Sequence, residues 1–313
     1  MEQTSGHRSV SRLREAGLFC TLAVFWGLSF PAITVGLEFL PPLLFAALRY
    51  DVAAVLLLGY AVIRTEDWRP TGRNNYYAIL GGGVFLVAGN GFLFLGQQTV
   101  PSGVAAILQA LVPIVTAVWA LALLGERLSL PGAVGVGIGF LGISLVVQPD
   151  PTNLLGSETL GRLLIVGQVI SVSLGGVIVQ RAKPSISRVP LTGWSMLVGA
   201  VVLHLVSLGA GELPDSSALV PTSVGTVLYL GVFSTAIAFY IYFYIIEVHG
   251  AFEVSLVTYL VPIVATLVGV FVLQETISPL TLVGFGLVAV GFVFLKREAL
   301  ADVIDGAPVA VRP

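Results

Sequence analysis

Ten stretches of mostly uncharged, apolar residues, separated by short breaks marked by Pro, Gly or polar residues, leave this chain few ways to fold. They lie near 17–36, 41–63, 76–98, 100–124, 130–148, 161–180, 190–210, 222–246, 250–273 and 279–295. A bilayer core about 30 Å thick takes about 20 helical residues to cross, so ten crossings use about 200 of the 313 residues. The runs are continuously apolar rather than alternating, which suits helices and not lipid-facing barrel strands. The expected class is all-α: a polytopic membrane protein of ten transmembrane helices. The first run follows Arg8, Arg12 and Arg14 as a secretory signal would, but it is long for one and nine more runs follow.

Composition agrees. Charged residues make up 10% of the chain against about 25% in soluble domains, apolar residues 56%, and the mean hydropathy is +0.98. With 15 basic and 17 acidic residues there is no positive excess to attract nucleic acid. Cys20 is the single cysteine, which excludes an internal disulfide and a Cys-based metal site. His7, His204 and His249 are scattered without ligand spacing, so neither metal nor cofactor is expected. There is no P-loop to bind ATP. Lys183 and Lys296 fall at span edges, which leaves no mid-membrane lysine for a Schiff base.

Lys and Arg sort to one side of the ten crossings. Arg8, Arg12, Arg14, Arg64, Arg69, Arg73, Arg127, Arg181, Lys183, Arg188, Lys296, Arg297 and Arg312 share it, while the other side holds only Arg162. Positive loops stay in the cytoplasm during insertion, so both termini are expected there.

The chain also repeats itself. At an offset of 149 residues Thr99–Val146 aligns without gaps on Val248–Leu295. Leu111-Val112-Pro113-Ile114-Val115 recurs as Leu260-Val261-Pro262-Ile263-Val264, and Glu126 then pairs with Glu275 and Ser129 with Ser278. Five helices per half make the copies inverted, with Glu126 at the cytoplasmic end of its helix and Glu275 at the external end. The expected division is a tail over 1–16, a first repeat over 17–148, a linker over 149–160, a second repeat over 161–295 and a tail over 296–313. Inverted halves around a central cavity are the architecture of transporters.

Several of these residues resemble the ten-helix, EamA-type members of the drug/metabolite transporter superfamily. They are Trp26-Gly27-Leu28-Ser29-Phe30-Pro31, Pro41-Pro42 leading to Arg49, Leu111-Val112-Pro113 before Gly125-Glu126-Arg127-Leu128, and Leu260-Val261-Pro262 before Gln274-Glu275-Thr276. The resemblance implies two five-helix repeats around a cavity, with the fifth and tenth helices to one side. It also implies amphipathic metabolites or amino acids as substrates, commonly exported. Val112 and Val261 stand where the family usually has a carboxylate, and the first span has no Asp or Glu, so those roles do not transfer.

Polar residues within the spans are the candidate cavity lining. Arg49 leads, because a charge inside the membrane costs roughly 2.5–3.5 kcal/mol on insertion scales and should face protein or water; snorkelling to the external headgroups or capping backbone carbonyls is its plainer role. Asn90 and Gln97 share a face of the third helix with Phe94; Gln109, Pro113 and Thr116 share one on the fourth; Gln168 and Ser171 lie on the sixth. Hydrogen bonding between helices is the plainer role for each of them. Tyr229, Phe233, Tyr240 and Tyr244 read as an aromatic stripe on the eighth helix, with interfacial belts the plainer place for Tyr244 and Tyr229, and Ser255, Thr258 and Tyr259 surround the second repeat proline. Trp26 and Ser29 offer a face of the first helix. Pro113 and Pro262 are expected to kink their helices as paired hinges, or as static bends. Glu126 and Glu275, near water, are expected to cap or pair rather than touch substrate. Gly132, Gly135, Gly139 and Gly142 on the fifth helix, with Gly284 and Gly291 on the tenth, form small-residue faces for packing within the subunit, or for a homodimer.

The resulting expectation is a secondary transporter, not an enzyme, that moves a small solute through the bilayer by alternating access. A channel-like or structural protein of the same fold, or an intramembrane lipid-modifying enzyme, is the alternative. Compact loops and the lack of an organelle-targeting presequence point to a prokaryotic inner membrane.

Overall fold

The computed structural model describes residues 17–148, 156–249 and 257–297, and every regular element among them is helical. Eight helices are long and apolar enough to cross a bilayer: α1 (Gly17–Gly36), α2 (Pro42–Arg64), α3 (Arg73–Gly96), α4 (Ser102–Leu124), α5 (Leu130–Val147), α6 (Ser157–Ala182), α7 (Arg188–Gly209) and α8 (Pro221–Ile245). Two shorter apolar helices follow, α9 (Val257–Phe271) and α10 (Pro279–Leu295). The expected start of the ninth span, including Ser255, lies outside the described residues, as do the N-terminal tail, the C-terminal tail beyond 297 and most of the linker. The sixth helix starts a turn earlier than expected, at Ser157. One end of the bundle carries Arg64, Arg73, Arg127, Arg181, Arg188 and Lys296, and is the basic end below.

Boundary chemistry repeats between the halves. Prolines sit in the first turn of α2, α5, α8 and α10, where the missing N–H costs nothing. Ser129 caps α5 by accepting from Gly132 N at 3.3 Å, and its repeat partner Ser278 caps α10 by accepting from Thr281 N at 3.2 Å. Beyond α4, Gly125 takes φ 71° and Glu126 N donates to Ala120 O at 3.4 Å. Beyond α9, Gln274 takes φ 57° and Glu275 N donates to Gly269 O at 2.9 Å. Both turns are left-handed helix terminations of the same form.

Packing follows the same symmetry. The fifth and tenth helices meet through their glycines: a Cβ on Gly142 would stand 2.7 Å from Gly284 O, and one on Gly284 would stand 2.7 Å from Gly142 O. α2 packs along α7. A Cβ on Gly83 of α3 would meet Val198 at 2.6 Å and Ser195 O at 3.0 Å, while one on Gly231 of α8 would meet Val52 at 2.6 Å and Arg49 O at 2.9 Å. These are the same contact made twice, in a register of about 147 residues rather than the 149 of the later helices.

Two features depart from regular helices. The third and eighth helices each contain a π-helical segment, Gly82–Val87 and Tyr229–Ile237. The second splits the expected aromatic stripe, because a π turn holds more residues than an α turn and shifts everything beyond it around the axis. Tyr229 stacks on Phe233 at 5.9 Å near the middle of the helix, whereas Tyr240 packs on Tyr60 at 5.8 Å towards the basic end. The repeat prolines also differ. α4 is interrupted at Ala110 and Leu111 before Pro113, whereas Pro262 lies within an unbroken α9. Ala110 and Leu111 keep right-handed helical dihedrals, so this is a local break ahead of Pro113 within one span.

Candidate functional site

The polar residues of the spans gather into two groups. In the first, Gln168 of α6 bridges α3 and α4: its Nε2 donates to Asn90 Oδ1 at 3.1 Å, and its Oε1 accepts from Gln109 Nε2. Asn90 Nδ2 turns back to Leu86 O at 2.7 Å, an acceptor within the π-helical segment. Gln168 is buried, while Asn90 and Gln109 are half-buried. Such a chain holds amide donors and acceptors in fixed directions, which suits a polar solute.

The second group surrounds Arg49. Its Nη2 donates to Thr235 Oγ1 at 2.9 Å, and its guanidinium carbon stands 4.8 Å from the Tyr50 ring centre and 5.7 Å from that of Phe94. Nearby contacts are structural. Gln97 Nε2 donates to Phe30 O at 3.0 Å and Thr34 Oγ1 at 3.2 Å, tying α3 to α1. Tyr229 Oη and Ser234 Oγ both donate to Phe25 O, at 3.2 and 2.7 Å.

Other expected residues are placed as follows. Ser29 is buried and donates to Trp26 O at 2.5 Å, so its hydroxyl serves the helix itself. Trp26 is half-buried against Tyr242 (5.4 Å) and Phe239 (6.0 Å). Thr258 is half-buried at the start of α9. Tyr259 donates to Ala110 O at 3.4 Å, reaching the carbonyl freed by the interruption of α4. Ser171 Oγ donates to Phe85 O at 2.8 Å. Tyr240 and Tyr244 belong to neither polar group. With Tyr60, Phe243, Arg64, Thr65, Ser187, Arg188 and Val189 they line a cavity of about 510 Å³ at the basic end.

The end opposite is tied by carboxylates. Glu275 Oε1 accepts from Ser102 N at 2.8 Å, and its Oε2 accepts from Ser102 Oγ at 2.8 Å and Gly103 N at 3.4 Å, capping α4. Glu212, beyond α7, caps α2 by accepting from Leu43 N (3.2 Å), Leu44 N (2.9 Å) and Ser207 Oγ (2.8 Å). Carboxylates at helix N-termini meet free N–H groups and the positive end of the dipole. The repeat counterparts, Glu126 and Glu66, are exposed at the basic end, and neither side chain has a hydrogen-bond partner among the described residues. Residues 251 and 252, which Glu126 would cap by symmetry, lie outside the described residues. The basic end is held by other ties: Asn75 Oδ1 accepts from Ser185 N at 2.8 Å, and Trp68 stacks on Trp194 at 6.2 Å.

Sequence reasoning missed Glu212 altogether. The signal was present: Glu66 and Glu212 follow Ala54-Val55 and Ala200-Val201 at the same interval. It also missed the contact of Asp51 Oδ2 with His204 Nε2 at 2.7 Å, whose partners lie on different helices, and the pairing of Arg162 with Glu158, although their i,i+4 spacing was a readable signal.

Apolar helices in two related sets, with amide and guanidinium groups inside, define a multi-pass helical membrane protein of the transporter kind. The model of the EamA-like transporter family matches residues 13–148 and again 159–297, and the chain belongs to that family. An inner membrane transporter of Escherichia coli, YedA, described as uncharacterized, is 31% identical over 93% of this chain and 96% of its own length. An uncharacterized transporter of Archaeoglobus fulgidus is 29% identical over 88% of this chain and 95% of its own. A WAT1-related chloroplastic protein of Arabidopsis thaliana is 30% identical over 83% of this chain and 64% of its own. A solved crystal structure, 19% identical, covers 91% of this chain and 96% of its own with a TM-score of 0.63, a likeness of fold.

Proposed function

We propose that this protein is a secondary transporter of a small organic metabolite, an amino acid or related amphipathic solute. In this reading it works by alternating access in a cell inner membrane, in the direction of export, with the basic end and both termini in the cytoplasm. The observation that carries the reading is the unequal state of two equivalent ends. Glu212 fastens the end of α7 to the start of α2, while Glu66, its counterpart, has no side-chain partner among the described residues and follows Arg64 and Thr65 of a cavity lined by the end of α2, the start of α7 and the end of α8. A bundle with two related ends can open at one while the other stays closed. The present state is then closed outside and open to the cytoplasm. A volume near 510 Å³ suits a metabolite.

The solute's path in this reading runs from that cavity past Tyr240 and Tyr244 to Arg49 and the Asn90–Gln168–Gln109 chain. Positive-inside loops support the orientation, and the Escherichia coli relative supports the membrane. If two copies associate through α5 and α10, they have only the outer faces of those helices to use, since the glycine faces are filled within one chain.

Proteoliposomes preloaded with a panel of amino acids and small metabolites should show exchange of at least one labelled solute, saturable and sensitive to Gln168→Leu. Non-saturable leakage of many solutes would favour a channel, and no movement of any solute would contradict the proposal.

A further inference from the structure

The spans contain two buried arginines that differ in one respect. Arg162, 9% exposed, donates from Nη1 to Val146 O at 2.9 Å and Val147 O at 3.2 Å, and its Nη2 pairs with Glu158. Its Nε lacks an acceptor, but its charge is matched. Arg49, 8% exposed, has no carboxylate within ion-pair distance among the described residues, and its Nε has no acceptor. Asp51, two residues on, is turned to His204. The Tyr50 and Phe94 ring faces offset about 0.5–2 kcal/mol, whereas an ion buried without its partner costs several.

We infer that Arg49 receives a carboxylate of the transported solute, which supplies the missing counter-charge. This rests on the transporter reading above. One guanidinium offers a single positive charge and a planar fork of donors, the complement of one carboxylate. A doubly charged phosphate would require a second cation at the same depth. The other described lysines and arginines lie at the basic end, apart from Arg162, which is already paired, and His204 in α7 is turned to Asp51. Thr235 Oγ1 accepts from Arg49 while donating to Leu230 O at 2.7 Å, so the guanidinium is oriented by the π-helical segment of α8.

The test uses purified full-length protein and matched pairs: benzoate with benzamide, phenylacetate with phenylacetamide, L-leucine with L-leucinamide. Thermal shift reports binding and proteoliposome exchange reports transport. At least one carboxylate should stabilise the wild type and be exchanged, with its amide at least tenfold weaker. Arg49→Lys should weaken that carboxylate about tenfold, and Arg49→Gln should abolish the preference. Should Arg49→Gln fail to fold, Thr235→Val serves instead: it should weaken the carboxylate several-fold while keeping it ahead of its amide. Equal handling of carboxylates and amides, an unchanged preference in Arg49→Lys, or Thr235→Val indistinguishable from wild type would overturn the assignment and leave transport standing. Transport of no solute, here or in the broader panel, would remove both.

Discussion

Glu275 holds Ser102 twice, through its backbone N–H and its hydroxyl, each at 2.8 Å, and so joins the turn after α9 to the first turn of α4. Hydrogen bonds to a charged acceptor contribute about 1.5–3 kcal/mol each. Glu275→Gln should therefore shift the balance between closed and open at this end by more than tenfold. A double-mutant cycle with Ser102→Ala, read by reaction of a cysteine at Ile33 with an impermeant maleimide, should show coupling; independent effects of the two substitutions would contradict the cap. Cys20, exposed, is first replaced by serine.

Glu212 and Glu66 make a matched comparison, because one carboxylate is bonded and its counterpart is not. Glu212→Gln should lower the melting temperature in detergent, with a loss of about 1–3 kcal/mol. Glu66→Gln should leave it within about 0.5 kcal/mol. The start of α7 is the poorer target for a cap: Pro190 has no N–H where Leu44 donates, and Ala61 stands where Ser207 supplies a hydroxyl. Glu66→Gln lowering stability as much as Glu212→Gln would refute the asymmetry.

The glycine seam gives a sharper contrast. A Cβ at Gly291 would lie 2.5 Å from Gly135 O and 2.8 Å from Gly139 N, backbone atoms that move only if the helices part. Gly291→Ala should cost about 1–3 kcal/mol by overpacking. Gly137 and Gly286 have nothing within 4 Å, so alanine there should be neutral or stabilise by up to about 1 kcal/mol. Thermal melts of the three variants decide the matter.

Gln168→Leu removes both links of the amide chain. Interhelical hydrogen bonds in membranes average about 0.6 kcal/mol each, so stability should fall little, while exchange of the solute should fall at least tenfold. A variant that melts normally and transports normally would return this chain to a packing role.

What could be read in advance followed the physics of insertion. Hydropathy placed the tenth helix at 279–295, where α10 runs Pro279–Leu295, and the fifth at 130–148, where α5 ends at Val147. Repeat comparison found Glu126 and Glu275 because their register of 149 is ungapped. It missed Glu66 and Glu212 because loop lengths shift the register of the first three helices. The π-helical segments were invisible, since an apolar run reads the same whether each N–H reaches back four residues or five, and the stripe from Tyr229 to Tyr244 failed for that reason. Asn90, Gln109 and Gln168 were recognisable as inward polar residues but not as partners, because their meeting depends on how three helices pack.

The central claim is that the two ends of the bundle open in turn. Spin labels at Glu38 and Leu213 report the end fastened by Glu212, and labels at Asp67 and Arg188 report the basic end. Pulsed electron resonance distances, measured with and without transported solute in liposomes, should change in opposite senses, one pair lengthening as the other shortens. Two distances that stay fixed, or that lengthen together, would contradict it.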